Sequence, residues 1–175
     1  MRYLLAMALL FGAVLAYAGD SQGRGSGQMP KVYDAQGKYV GQVSNIGDGV
    51  YLTINGAVTF VAITRVDNGI DASATQFQWG SAKTIYYASS DCSGPAIIPA
   101  GNGPRPSVAV RVGADVVLYV AGTANSTTLH AGSMRQAPDA NACFSDQNSN
   151  INQAFATETT YPLTQEHPEP LTIQP

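Results

Sequence analysis

The segment GVYLTINGAVTFVAITRV, residues 49–66, indicates the fold class more clearly than any other stretch of the sequence. Every second residue from Val50 to Ile54 is apolar, and this period of two is typical of a half-buried strand. The alternation resumes after Asn55-Gly56, a pair that tolerates positive φ at both central positions of a type I′ turn. The segment therefore predicts a β-hairpin with a two-residue loop.

The composition of the rest of the chain agrees with this hairpin. After residue 18 the chain holds 13 Val, 9 Ile and 13 Thr, but only 5 Leu, 2 Met, 3 Glu and 3 Lys. β-branched side chains fit a pleated strand better than a helix. We therefore predict an all-β fold, an antiparallel sandwich or open barrel of about eight to eleven short strands.

Further strand candidates flank the hairpin. Residues 31–45 suggest a strand pair joined through Asp34 to Lys38, and the other candidates are residues 83–90, 106–112 and 115–122. Residues 148–161 are expected to include a short helical turn.

The first 18 residues, MRYLLAMALLFGAVLAYA, have the features of a secretory signal peptide. Arg2 supplies a short positive region, an apolar stretch follows, and residues 16–18 give the small-x-small pattern that signal peptidase accepts. A transmembrane anchor is the alternative, but the apolar run is short for a span of about 20 residues. We expect cleavage between Ala18 and Gly19, no membrane span after removal of the signal, and a secreted or periplasmic location.

The remaining chain divides by composition into three parts. Residues 19–30 are rich in Gly and Ser and are expected to form a flexible leader. Residues 31–160 are expected to fold as a single β domain. Residues 161–175 contain several prolines, and we expect them to form an extended tail.

Export makes a disulfide chemically permissible for the only two cysteines, Cys92 and Cys143. Both lie in turn-like contexts beside Ser, Asp or Asn, which favours one bridge within the chain. Two free thiols, or pairing between chains, are the alternatives. In the chain-entropy model, closing a loop of this size stabilises the fold by about 4 kcal/mol.

The charge pattern bears on the class of partner. Charged residues make up 12% of the chain, and the formal net charge is −3. This mild, scattered acidity lacks the basic patch that nucleic-acid binding requires, so we expect no nucleic-acid partner. An unknown protein or a glycan remains the expected kind of partner.

Three segments carry a resemblance to known proteins: KVYDAQGKYVGQV (31–43), VTFVAITR (58–65) and TIYYASSDCSGPA (84–96). They resemble a recurrent domain of bacterial exported proteins, and also segments that follow collagen-like repeats or occur in phage-tail-like proteins. The shared pattern is V-x-D-x-x-G-x-x-V-G, an apolar hairpin, and Y-Y-x-S-x-D-C-x-G, over roughly residues 31–145. The resemblance implies a bacterial exported β domain and assigns no site residues.

Histidine is the usual general base near neutral pH, and the chain has two. His130 as a base to Ser133 would be a hydrolase arrangement, but residues three apart in a strand face opposite sides. We interpret His130 as a polar strand residue near solvent. His167, between Glu166 and Pro168, is expected to be solvated in the tail.

The carboxylates offer no clear catalytic pair. Glu158 is isolated in the sequence, while Glu166 and Glu169 lie in the expected tail. A glycosidase needs two carboxylates flanking one bond, so the spacing does not favour that activity.

No metal ion or cofactor is predicted from the oxygen-rich segments. Asp67, Asn68 and Asp71 surround a glycine, but the segment lacks the length and closing Glu of a calcium loop. We interpret it as a polar turn. Asn125 begins a glycosylation sequon and is also interpreted as part of a polar turn.

Aromatic side chains are the last candidate for a ligand surface. Tyr86 and Tyr87 point to opposite faces of their strand, so one of them is expected near solvent. Together with Tyr51 and Trp79 they form a candidate stacking platform for sugars or peptides, with Tyr33 and Tyr39 as further contributors. The alternative is that most of these rings cover the ends of the core.

From these observations we expect an exported, non-enzymatic β domain that acts by interaction at the cell envelope or outside the cell. An exported hydrolase with an unrecognised active site is one alternative. A structural subunit of a surface assembly is the other, and self-association would favour it.

Overall fold

The computed structural model describes residues 29–45, 47–101, 103–136 and 139–175, without the side chains of residues 139–141 and 146–148. The expected signal peptide, its cleavage between Ala18 and Gly19, and most of the leader lie outside the described residues. No helix in the described part is long and apolar enough to cross a membrane.

The described residues are nearly all β, with 62% of them in strands and 3% in helix, which confirms the predicted class. The elements in chain order are β1 (Lys31–Tyr33), β2 (Tyr39–Val43), β3 (Gly49–Ile54), β4 (Ala57–Asp67), β5 (Ala72–Trp79), β6 (Thr84–Tyr87), β7 (Ala96–Ile97), β8 (Ser107–Val112), β9 (Asp115–Ala121), β10 (Thr127–Gln136), β11 (Asp139–Ala154), β12 (Thr157–Pro162), α1 (Leu163–Glu166) and β13 (Leu171–Gln174).

The hairpin of residues 49–66 forms as predicted. Strands β3 and β4 pair from Gly49↔Ala62 to Ile54↔Ala57. Asn55 and Gly56 occupy the loop with φ of 49° and 81°. Both central residues therefore have the positive φ that a type I′ turn requires.

Six strands close into an antiparallel barrel in the order β1-β13-β5-β4-β3-β2. Strand β13 closes it, because Val32 of β1 pairs with Ile173 and Phe77 of β5 pairs with Leu171. The barrel is closed rather than open. The domain boundary expected at residue 160 is wrong, because β13, within the expected tail of residues 161–175, is part of the barrel sheet.

Two further sheets complete the fold, one in the order β12-β9-β8 and the other in the order β11-β10-β6-β7. The predicted strand pair at residues 107–121 forms β8 and β9, joined through Gly113 and Ala114. The helical turn expected within residues 148–161 is wrong, since these residues belong to β11 and β12.

The three-stranded sheet lies between the other two layers. Leu118 and its neighbours on one face of β9 join the barrel residues in the main hydrophobic cluster. On the opposite face, Val110 and Tyr119 pack with Ile85 and Tyr87 of the four-stranded sheet. Each face of this sheet thus buries apolar area against a different neighbour, as expected for a three-layer arrangement.

Cys92 and Cys143 form a disulfide with a Cα–Cα distance of 5.8 Å. The bridge joins the turn after β6 to β11, 51 residues later. The Cys92 backbone N–H also donates a hydrogen bond of 2.8 Å to the buried Ser133 hydroxyl on β10. The predicted bridge is therefore present, and it fixes the long β10–β11 hairpin to the turn after β6.

Candidate functional site

The hydrolase hypothesis paired His130 with Ser133, and the structure keeps them apart. His130 is exposed on β10, with its Nδ1 3.4 Å from the Asn150 side-chain oxygen. Ser133 is fully buried, and its hydroxyl donates 2.7 Å to the Ser89 carbonyl while accepting from the Cys92 N–H. The Ser133 hydroxyl thus stabilises the turn that contains Cys92. His130 is the solvent-facing strand residue that we predicted.

The proposed aromatic platform does not form. Trp79 and Tyr87 are buried, at 1% and 3% exposure. They belong to two different hydrophobic clusters and therefore do not form one surface. Tyr86 packs partly buried in a third cluster. Tyr51 is 42% exposed and contacts Phe60 edge to face on the barrel. The alternative, that the rings mainly cover cores, describes Trp79, Tyr86 and Tyr87.

The oxygen-rich segment at residues 67–71 is a polar turn, as interpreted. Asn68 Oδ1 accepts hydrogen bonds from the backbone N–H groups of Ile70 and Asp71, at 2.9 and 2.8 Å. Asp67 Oδ1 accepts one from Gly69 at 3.1 Å. These side-chain oxygens therefore accept hydrogen bonds from backbone N–H groups of the turn itself. Among the described residues, no group of three His, Cys, Asp or Glu side chains could hold a metal ion.

His167 is not the solvated tail residue that we expected, since it is buried at 6% exposure. Its Nδ1 lies 3.4 Å from Asp34 Oδ2, and its Nε2 lies 3.2 Å from the Tyr161 hydroxyl. Burial lowers the pKa of His167, and the neighbouring Asp34 carboxylate offsets part of this effect. Burial also raises the pKa of Tyr161. A neutral imidazole fits this position, because it can donate to Asp34 and accept from Tyr161.

A second set of contacts fixes the same segment to the barrel. Arg111 on β8 pairs with Glu169 through two hydrogen bonds, of 2.6 and 3.2 Å, and also donates to the Trp79 carbonyl at 2.8 Å. The Trp79 N–H donates to the same Glu169 carboxylate at 2.6 Å. We name Asp34, Trp79, Arg111, His167 and Glu169 the C-terminal clamp. Its polar groups have hydrogen-bond partners within the clamp and on neighbouring residues, and they hold the segment that precedes β13 against the barrel.

The candidate functional site lies at the other end of the three-stranded sheet, where all three sheets meet. Two adjacent cavities of about 430 and 240 Å³ share Thr123 and Glu158 in their walls. The larger has an apolar floor of Leu129, Ala154 and Phe155. The smaller runs along the β3–β4 turn and contains Arg105. We name the two cavities together the junction groove. The larger volume lies within the range of about 300–1,000 Å³ typical of small-molecule sites.

Glu158 owes its position to an irregularity in β12. Thr157 pairs with Ala121 and Thr159 pairs with Val120, so Glu158 is an extra residue without a partner on β9. A β-bulge of this kind re-aims a side chain and is frequent beside functional sites. The carboxylate is directed over Gly122, where a Cβ atom would come within 2.8 Å of Glu158 Oε2. The glycine therefore leaves room for the bulged side chain.

Arg105, in the wall of the smaller cavity, is held by three hydrogen bonds. Its backbone N–H donates to the Val58 carbonyl at 2.9 Å, and its own carbonyl accepts from the Thr59 hydroxyl at 3.0 Å. Its Nη1 donates to the Ala121 carbonyl at 3.2 Å. This bond fixes the guanidinium and leaves its other N–H donors for a ligand.

The two charged groups of the groove do not form an ion pair with each other. The ion pairs in the described part of the chain are Lys38–Glu166, Arg111–Glu169 and, when the histidine is protonated, His167–Asp34. Arg105 and Glu158 therefore line one cavity without forming an ion pair. A separated donor and acceptor of opposite charge can orient a bound ligand, while the apolar floor contributes contact area.

Little in the sequence indicates this site. Glu158 has no second carboxylate near it in the chain, and Arg105 belongs to no recognisable motif. The one local signal is the position of Glu158 within a run of threonines, Thr157, Thr159 and Thr160, where it places a charge in the middle of a strand-like segment. Asn125, taken as part of a polar turn, lies on the wall of the larger cavity.

No protein-family model, curated protein or solved structure matches the chain. The resemblance to exported bacterial domains therefore stays a prediction.

Proposed function

We propose that the chain is an exported, non-enzymatic β domain that acts by interaction at the cell envelope or outside the cell, and that it binds its ligand in the junction groove. The single observation that carries the proposal is the bulged Glu158 directed into a cavity at the meeting point of three sheets. Export is supported by the signal-like residues 1–18 and is compatible with the Cys92–Cys143 disulfide.

The surroundings of the groove support binding because they are fixed before a ligand arrives. Arg105 is bonded through its main chain and its side chain. Thr157, next to Glu158, donates its hydroxyl to the Ala96 carbonyl at 2.6 Å. Phe155 exchanges two main-chain hydrogen bonds with Ile98, of 3.0 and 2.7 Å. A preorganised site loses less conformational entropy on binding, which favours affinity.

Nuclear magnetic resonance tests this proposal. Isotope-labelled protein beginning at Gly19 would be titrated with fractions of the envelope and growth medium of the cells that produce it. We expect chemical-shift changes at Thr123 and Glu158 that are weakened by Glu158→Gln and preserved in the matched control Glu166→Gln. Shift changes confined to residues outside the groove, or equal responses from the two variants, would contradict the proposal.

A structural subunit of a surface assembly is the second candidate function. Strand β11 is the terminal strand of its sheet, so its outer edge presents backbone groups that another strand could pair with. Sedimentation of the purified protein tests this candidate, because a subunit should self-associate as its concentration rises, and a monomer at all concentrations would contradict it.

A further inference from the structure

We propose that the ligand of the junction groove is a small zwitterion of the amino-acid class, with its ammonium group against Glu158 and its carboxylate against Arg105. This inference depends on the proposed function, since it names the chemistry of the same groove. Its first support is the charge arrangement: one carboxylate and one guanidinium line the smaller cavity and form no ion pair with each other.

The rest of the lining carries no further charge. Both cavities are otherwise bounded by apolar, hydroxyl, amide and glycine residues. A ligand with a single net charge would leave one of the two protein charges unmatched, whereas a dipolar ligand matches both. Within the described residues, the Glu158 carboxylate accepts no hydrogen bond, and the exposed side chain lines both cavities, so its acceptor sites are available to a ligand.

The larger cavity supplies a place for an apolar side chain. Its floor consists of the partly buried Leu129 and Phe155 and the fully buried Ala154. Because Thr123 and Glu158 are common to both cavities, the charged end and the apolar end of one molecule can lie in adjoining spaces. An amino acid with an aliphatic side chain has this distribution of groups, and a neutral sugar lacks both charges.

Titration calorimetry with three probes tests the assignment. L-Leucine carries both charges, N-acetyl-L-leucine lacks the ammonium group, and L-leucinamide lacks the carboxylate. We expect L-leucine to bind, and each of the other probes to bind roughly tenfold or more weakly, because each loses one charge-assisted hydrogen bond.

Variants of the chain locate the contacts. In Glu158→Gln, L-leucine should bind no better than N-acetyl-L-leucine binds to the parent, and the advantage of the ammonium group should vanish. Arg105→Gln should erase the difference between L-leucine and L-leucinamide, while Arg105→Lys should retain part of it because the positive charge remains. Glu166→Gln and Arg65→Gln are matched controls at exposed positions outside the groove and should bind like the parent.

The outcomes separate this inference from the proposed function. Equal binding of the three leucine probes would overturn the zwitterion assignment. Binding of D-glucose or N-acetyl-D-glucosamine in place of L-leucine, with shift changes at Thr123 and Glu158, would also overturn it while leaving the groove as the binding site. If none of the five probes and none of the native fractions binds or changes the chemical shifts of the groove residues, both proposals are overturned.

Discussion

Trp79 Nε1 donates a hydrogen bond of 3.1 Å to the carbonyl oxygen of His167, 88 residues later in the chain. Trp79 ends β5, a barrel strand, and His167 directly follows α1. The bond is buried at both ends. It ties the last segment of the chain to the barrel close to the point where β13 enters the sheet.

Replacing Trp79 with Phe should destabilise the fold by at least about 1–3 kcal/mol, because the His167 carbonyl would lose its buried donor and the smaller ring would leave a cavity in the core. Urea unfolding followed by circular dichroism measures the change. The matched control is Tyr51→Phe, which removes a hydroxyl from an exposed ring and should change stability by less than about 0.5 kcal/mol. Equal effects of the two substitutions would show that the hydrogen bond contributes nothing measurable.

The C-terminal clamp should make stability depend on pH through His167. Burial lowers its folded-state pKa below the ordinary histidine value, so the unfolded chain binds its proton more readily. Stability is therefore fully present above about pH 6.5, the unfolded value, and is lost as the pH falls toward the folded pKa. Asp34, Lys38 and Glu166 are the charged neighbours that modulate the transition.

Urea midpoints measured from pH 7.5 to pH 5 test this dependence. We expect the parent to keep its stability from pH 7.5 to about pH 6.5 and to lose it as the pH falls further. His167→Gln should show a shallower slope below about pH 6.5, because glutamine cannot take up a proton. The exposed His130→Gln should keep the parent slope. Identical slopes for all three proteins would contradict the assignment of a lowered pKa to His167.

Loss of the disulfide should destabilise the fold without affecting the groove. Cys92 and Cys143 close a loop of 51 residues, and removal of such a bridge costs about 2–5 kcal/mol in the chain-entropy account. The paired substitution Cys92→Ser with Cys143→Ser should therefore melt well below the oxidised parent. The parent protein, with its disulfide reduced under native conditions, should have the same melting temperature as the double variant. Unchanged melting temperatures would mean that the bridge forms but does not stabilise.

The chain that leaves the cytoplasm should begin at Gly19. Mass spectrometry of the protein recovered from the periplasm or medium measures the N-terminus directly. Ala18→Arg should block processing and leave a longer, membrane-associated chain, because signal peptidase requires a small residue there. An intact Met1 start in the exported parent would contradict this expectation.

Local features of the sequence were sufficient for the hairpins, and the reason is physical. Asn55-Gly56 determines the β3–β4 turn through the conformations of two adjacent residues, and Asp34 closes the β1–β2 turn by accepting from the Gln36 and Lys38 N–H groups, each at 2.9 Å. These interactions span at most a few residues. They can be inferred from neighbours in the chain.

The barrel closure could not be inferred in this way. Leu171 is fully buried because β13 fits between β1 and β5, strands that lie about a hundred residues or more earlier in the chain. The local sequence shows only a short apolar pair bounded by prolines. The neighbours of His167 in the sequence, Glu166 and Pro168, likewise favour an exposed residue, whereas in the fold His167 is buried and contacts Asp34, 133 residues away.

The junction groove was missed for the same reason. Glu158 becomes a bulge residue only once β12 has paired with β9 in a register that leaves Glu158 without a partner. Arg105 enters the same cavity through its bridge to Thr59 on the barrel. Neither residue has a local motif, and the groove exists only after three sheets have assembled.

Site-specific photo-crosslinking in the cells that produce the protein tests the central claim, that the junction groove binds the ligand, most directly. A benzophenone side chain at Thr123, on the wall shared by both cavities, would be compared with one at Val112, an exposed residue outside the groove. We predict a mass-shifted adduct from the Thr123 position that disappears in Glu158→Gln and persists in Glu166→Gln. Adducts of equal yield from Thr123 and Val112, or an adduct at Thr123 that is indifferent to Glu158→Gln, would contradict the claim.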